Sequence, residues 1–97
     1  MVWLIHITLN KNKLHIEGHT ESTICSSVSS IMYTSVNALL SYDANVIDYV
    51  DDCLNDCVDI TLLKCTKFAK LLFDNMVNCL TQISEQYPDC VEITKIV

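Results

Sequence analysis

Glycine and proline are almost absent from this sequence. Its 97 residues contain one glycine, Gly18, and one proline, Pro88, whereas average usage of about 7% glycine would give roughly six or seven. A glycine that survives in such a sequence is expected to serve the backbone, because glycine alone adopts positive φ at little cost.

Basic residues are also scarce. The chain has 6 Lys and Arg against 12 Asp and Glu, a formal net charge of −6. Sequence-independent binding of DNA or RNA depends on neutralising phosphates with Lys and Arg, so the composition argues against a direct nucleic-acid partner. An acidic surface instead attracts a basic protein, and ribosomal proteins are the obvious basic candidates in a cytosol.

Long hydrophobic runs are missing as well. No apolar stretch reaches the roughly 18 residues that cross a bilayer, and the first residues, MVWLIHITLN, show neither a basic leader nor a small-residue cleavage site. We therefore expect a cytoplasmic protein without membrane contact. Since 51% of the residues are apolar and 19% charged, residues 1–97 are predicted to form one globular domain.

Cysteine is the residue present in excess, with six in the chain. In a reducing cytosol these thiols are expected to stay free. Cys53 and Cys57 have a spacing that could hold zinc, but a four-ligand site needs a second pair, and the sequence offers none. We therefore predict no metal and no cofactor. A small metal protein that uses Cys53, Cys57 and a histidine is kept as an alternative.

Alternating apolar residues predict a β-hairpin at the start of the chain. Residues 2–9 place Trp3, Ile5, Ile7 and Leu9 on one face and His6 and Thr8 on the other. A polar turn at residues 10–13 leads to a second short strand that ends at Gly18. His6 and His15 both fall on the polar side of their strands, so they are predicted to be surface residues.

Two segments show helical spacing instead. The first has Ser22 and Thr23 as predicted N-caps and Cys25 in its first turn, and the second ends before Pro88. The predicted apolar stripe of the first helix is Cys25, Val28, Ile31, Met32, Ser35, Val36, Leu39 and Leu40. That of the second helix is Phe68, Leu71, Leu72, Met76, Cys79, Leu80 and Ile83.

Between and after the helices, β-branched residues predict three more strands. Residues 45–63 read as two strands joined by an acidic loop, and Val91, Ile93 and Val97 indicate a last strand. The fold class is therefore α+β, a two-layer sandwich of order ββαββαβ with a mixed or antiparallel sheet. Two helices cannot cover both faces of five strands, so we expect both on one face, with the other face partly apolar for a second subunit.

The stretch GHTESTICSSVSS, from Gly18 onward, carries the chemistry. A thiol in the first turn of a helix faces unpaired N–H groups and the positive end of the helix dipole, and both favour the nucleophilic thiolate. His19 is close enough in sequence to assist Cys25 as an acid and base. Gly18 allows a sharp turn or a close substrate backbone, and an N–H at the helix start is a candidate oxyanion donor.

This stretch, together with the following NALL and the later QYPDCVEITKIV, resembles the ribosomal-processing cysteine protease (Prp) family of bacteria. The family pattern is a strand that ends in Gly-His-Ala, a loop, and Ile/Val-Cys-Ala-(Ala/Ser)-Val-Ser opening a long helix. The resemblance implies a cytoplasmic homodimer that removes the N-terminal extension of a basic large-subunit ribosomal protein. Cys25 would then be the nucleophile and His19 the general acid and base.

The resemblance also implies supporting residues and shows departures from the family pattern. Ser29, four residues after Cys25, matches a polar position near the cysteine, and Gly18 would shape the site. Many members carry an Asp three residues before the cysteine, where this chain has Ser22, so Glu21 is the candidate carboxylate for orienting His19. The alternative from another class is a non-catalytic dimeric protein of the same fold that binds a ribosomal protein or precursor peptide.

Overall fold

The elements follow the predicted order. The structure, a computed structural model, describes residues 4–52 and 54–96. Its elements are β1 (Ile5–Asn10), β2 (Lys13–Gly18), α1 (Ser22–Tyr42), β3 (Ile47–Asp52), β4 (Cys57–Leu62), α2 (Lys67–Gln86) and β5 (Val91–Ile96). The predicted order ββαββαβ is therefore confirmed, while Val2, Trp3 and Val97 of the predicted strands lie outside the described residues.

The five strands form one mixed sheet in the order β3-β4-β2-β1-β5. β1 pairs with β5 in parallel, and the β1/β2, β2/β4 and β3/β4 pairs are antiparallel. β3 and β5 are consequently the edge strands. The β2/β4 pair joins the first hairpin to the second, and this pairing decides which loops meet at the site.

Both helices pack on the same face of the sheet, as predicted. Alternate strand residues such as Ile7, Leu14 and Ile60 point into this layer and are fully buried, as the two-residue period of a strand requires. They form one core with the inner stripes of α1 and α2. Within the described residues, neither helix has the length and apolar character of a membrane span.

The start of α1 differs from the sequence prediction. The helix begins at Ser22, and the N-cap is Glu21, whose side chain makes no capping hydrogen bond. The first helical hydrogen bond runs from the Cys25 N–H to the Glu21 carbonyl, at 2.9 Å. Ser22 and Thr23 are thus helical residues rather than N-caps, and the connection from β2 is shorter than the sequence suggested.

The inner stripe of α2 is also rotated relative to the prediction. Phe68 and Leu71 are half or more exposed, and their places in the core are taken by Ala69, Phe73 and Val77. Phe68 packs instead against the ring of Tyr42, with ring centroids 4.8 Å apart. The stripe was misplaced because apolar residues occur on both sides of this helix, and only packing against the sheet selects one of them.

The sheet face opposite the helices is mostly polar, and its edge strands add the exposed apolar side chains of Val50 and Ile96. Pairing places Thr8, His15 and Asp59 side by side on this face, and likewise His6, Glu17 and Cys57. The physical reason for the polar part is the strand period: in β1 and β2 the apolar residues of the core alternate with polar residues on the outside. The homodimer itself stays a prediction.

His15 contacts two carboxylates on this polar face of the sheet. Its Nδ1 lies 2.7 Å from Oδ1 of Asp59, and its Nε2 lies 3.5 Å from Oε2 of Glu17. The hydrogen bond to Asp59 raises the pKa of His15 above its usual value; burial opposes this shift and Glu17 adds to it. The protonated form of His15 is therefore stabilised by folding.

This pair predicts a pH-dependent contribution to stability. Because the pKa of His15 is higher in the folded state, the contribution is fully present below about pH 6.5, the unfolded value, and is lost as pH rises through the folded value. His15→Gln should cost on the order of 0.5 kcal/mol at pH 5.5, the size of a screened surface pair, and less at pH 8.5. Urea unfolding at both pH values measures the difference. In an Asp59→Asn background the pH dependence of the His15→Gln effect should become smaller, with the remainder due to Glu17; if it is unchanged there, the pair with Asp59 is not its cause.

Candidate active site

Gly18 ends β2 in a conformation that only glycine adopts readily. Its φ is +100°, and a Cβ built there would overlap the carbonyl oxygen of Leu4, the residue just before β1. Both the dihedral angle and the close approach exclude a side chain. The backbone role expected from the scarcity of glycine is therefore explained, and the chain turns here directly into His19.

Cys25 is the fourth residue of α1 and is half-buried. The backbone N–H of Thr20 donates to its Sγ at 3.3 Å, and Sγ as a thiol can donate to the Thr20 carbonyl at the same distance. The first N–H groups of a helix have no intrahelical acceptor, which here applies to Ser22, Thr23 and Ile24. The thiol thus faces one backbone donor directly, and three others precede it in the first turn of the same helix.

Cys25 and His19 share one cleft of about 270 Å³. The cleft lies between the start of α1, the end of β2 and the β3–β4 hairpin. It is lined by Ile5, Ile16, Gly18, His19, Cys25, Val28, Ser29, Met32, Tyr33, Asp51, Asp52, Asp56, Cys57 and Val58. The structure therefore brings four of the six predicted site residues together: Gly18, His19, Cys25 and Ser29.

The other two predicted residues, Glu21 and Ser22, do not line this cleft. Glu21 is exposed and caps α1 through its carbonyl. Ser22 opens the helix and lines a different, shallow depression together with Thr23 and Ser26. Neither side chain is placed beside His19 by these contacts.

The carboxylate that contacts His19 belongs to Asp56, which the sequence reasoning missed. Nε2 of His19 lies 2.7 Å from Oδ2 of Asp56, and the Asp56 carbonyl accepts the Gly18 N–H at 3.2 Å. Asp56 occupies the turn between β3 and β4 with φ of 51°. The acidic loop was recognised in the sequence, but its position beside His19 follows only from the β2/β4 pairing.

The far wall of the cleft is acidic and aromatic. Oδ2 of Asp51 accepts hydrogen bonds from the Tyr33 hydroxyl at 2.9 Å and from the Tyr49 hydroxyl at 3.3 Å. Burial, with the Asp51 charge adding to it, raises the pKa of Tyr49. Hydrogen bonds from Asn55 hold the pKa of the Asp52 carboxyl below its usual value. The wall therefore presents negative charge to the interior of the cleft.

A second thiol, that of Cys57, lines the same cleft. Burial raises its pKa, and the negative charge of Asp52 adds to this effect. Both causes disfavour the thiolate, which is the nucleophilic form. Cys57 is therefore held as a thiol and is not expected to act as the nucleophile.

The structure offers no support for the metal alternative within its described ranges. Residues 4–52 and 54–96 contain no group of three or more His, Cys, Asp or Glu side chains placed to hold a metal ion. Cys53, one of the two cysteines in the proposed pair, lies outside those ranges.

The cleft combines a thiol at the start of a helix with an imidazole. These are the two side-chain groups that a cysteine protease uses. The family model described as "Cysteine protease Prp" matches residues 4–92. The chain belongs to this family and is a cysteine protease, which confirms the resemblance drawn from GHTESTICSSVSS.

Solved structures agree with this fold. Two are of the essential ribosomal processing protease Prp from S. aureus, one with a covalently linked product peptide and one with a substrate peptide. They have TM-scores of 0.82 and identities of 21% and 20%, and both matches cover 96% of this chain and 98% of the other. SMU.848 from Streptococcus mutans has a TM-score of 0.80 at 20% identity, covering 96% of this chain and 94% of that one. A comparison with curated protein sequences gives no match.

Proposed function

We propose that this cysteine protease removes the N-terminal extension of a basic large-subunit ribosomal protein, with Cys25 as nucleophile and His19 as general acid and base. The observation that carries the proposal is the shared cleft: one thiol at a helix start and one imidazole line it together. Membership of the Prp family supports peptide-bond hydrolysis and disfavours the non-catalytic alternative.

The proposed reaction has two stages. The Cys25 thiolate attacks the scissile carbonyl carbon and forms a C–S bond, while the oxyanion accepts hydrogen bonds from N–H groups at the start of α1. His19 gives its proton to the departing amine as the C–N bond breaks. His19 then takes a proton from water, which hydrolyses the thioester and releases the second product and the Cys25 sulfur.

The charge of the cleft supports a basic client. Asp51, Asp52 and Asp56 all line it, and complementary charge speeds the encounter of two proteins. β3, which carries two of these residues, is an edge strand. Its outer N–H and C=O groups can pair with an extended peptide, so we place the substrate extension along this edge, leading to Cys25.

The test is to incubate the purified protein with a full-length ribosomal precursor and to measure the products by intact mass. We expect two products whose masses add up to that of the precursor plus one water. A precursor that is bound but uncut would identify the non-catalytic alternative. Cleavage that remains after Cys25 is alkylated would contradict the proposed nucleophile.

A further inference from the structure

Asp56 contacts the segment of the proposed acid–base residue at two points. Its carboxylate oxygen lies 2.7 Å from Nε2 of His19, and its backbone carbonyl accepts the N–H of the preceding residue, Gly18. One residue of the β3–β4 turn thus touches both the backbone and the ring at the end of β2. The geometry points to Asp56 as the positioning residue of His19, an assignment that rests on the proposed function.

The contact distinguishes the two ring nitrogens of His19. A carboxylate accepts hydrogen bonds and does not donate them, so Asp56 favours a proton on Nε2. In a neutral imidazole the proton is then absent from Nδ1, which becomes the nitrogen that can exchange a proton with the thiol or the leaving amine. Asp56 therefore selects the working tautomer and ring orientation without touching the substrate.

The local backbone shows that this residue is held in place. Asp56 has φ of 51°, a left-handed conformation that Asn, Asp and Gly adopt more readily than other residues. The adjacent residue, Cys57, pairs with Glu17 at the end of β2. The carboxylate is thus carried on a turn fixed to the sheet, whereas the His19 ring, with 63% of its side chain exposed, has little packing of its own to orient it.

The rate lost on removing the Asp56 carboxylate is set by the orientation of His19 rather than by the charge of the pair. Both side chains are about half exposed or more, so water screens their attraction and the ion pair itself contributes little. A misplaced catalytic group, however, can cost about 100-fold in rate. Removal of the Asp56 carboxylate is therefore expected to lower kcat and to leave KM nearly unchanged.

Two substitutions test this without straining the turn. Asp56→Gly removes the side chain and suits positive φ, and Asp56→Asn keeps an oxygen acceptor in a residue that tolerates the same conformation. We expect Asp56→Gly to lower kcat about 10- to 100-fold with KM within about twofold, and Asp56→Asn to recover most of that loss. Asp74→Asn, which removes the carboxylate of a half-exposed ion pair with Lys70 on α2, outside the lining of the cleft, is the matched control and should leave both constants unchanged.

A second readout does not depend on turnover. In nitrogen NMR spectra of histidine-labelled protein, wild type should show the Nε2-protonated tautomer of His19, and Asp56→Gly should show a mixture. A kcat for Asp56→Gly within twofold of wild type, or equal tautomer signatures in the two proteins, would overturn the role of Asp56. If wild type cleaves no precursor at all, the proposed function fails while the tautomer measurement still decides the positioning role.

Discussion

Cys25→Ala is expected to abolish cleavage of a peptide that carries the ribosomal extension, with a loss of at least about 10⁴-fold in kcat/KM. The reason is chemical: without sulfur no thioester forms, and removing a nucleophile leaves only the small residual rate that binding and oxyanion donors supply. Because Cys25 is half-buried and loses a single atom, folding should be retained. Initial rates with the peptide, together with a urea unfolding curve, measure both effects.

The control for Cys25→Ala is Cys65→Ala. Cys65 is exposed and lies outside the lining of the cleft, so its replacement should leave the rate unchanged. The Cys65→Ala protein also lacks an exposed thiol that would react with iodoacetamide, which makes it a suitable background for measuring alkylation of Cys25. Normal turnover by the Cys25→Ala protein would refute the nucleophile assignment.

Gly18→Ala is expected to lower both stability and activity. The substitution forces an L-residue to φ of +100° and brings its Cβ into the Leu4 carbonyl oxygen. A residue held in such a region costs about 1–3 kcal/mol, and relieving the overlap must move β1 or the end of β2. Since Gly18 leads directly into His19, we expect the displacement to reduce cleavage about tenfold or more even where the protein is fully folded.

The stability loss of Gly18→Ala is measured by urea unfolding, provided that the m-value stays constant. Cleavage rates at a temperature well below the unfolding transition isolate the effect of the substitution on the site. Ser26→Ala, an exposed helical position outside the cleft, is the matched control and should change stability by less than about 0.5 kcal/mol. A Gly18→Ala protein with wild-type stability would show that the backbone at this position relaxes freely, contrary to the structure.

Local patterns account for the part of the site that the sequence could predict. Gly18, His19, Cys25 and Ser29 lie within twelve consecutive residues, and a strand end followed by a helix start brings such neighbours together without long-range contacts. The start of α1 lies one or two residues earlier than the predicted N-caps imply. The hydroxyls of Ser22 and Thr23 suggested caps, whereas the Glu21 carbonyl accepts the first helical hydrogen bond.

Long-range pairing accounts for what the sequence could not predict. Asp56 reaches His19 because Cys57 pairs with Glu17 across β4 and β2, and nothing near the motif indicates that register. The same limit explains why Glu21 was considered as the orienting carboxylate: it is the nearest acidic residue along the chain. In the structure its side chain is exposed, and Asp56 contacts the ring.

The sequence by itself determined the element order and the family, because strand and helix periods and a short motif are properties of neighbouring residues. Tertiary structure alone decided which side of α2 faces the sheet and which carboxylate meets His19. Both depend on how distant segments pack. Phe68 and Leu71 are apolar like the residues that occupy the core in their place. The acidic residues of a loop share the same chemistry, and only the pairing of the strands decides which of them lies beside His19.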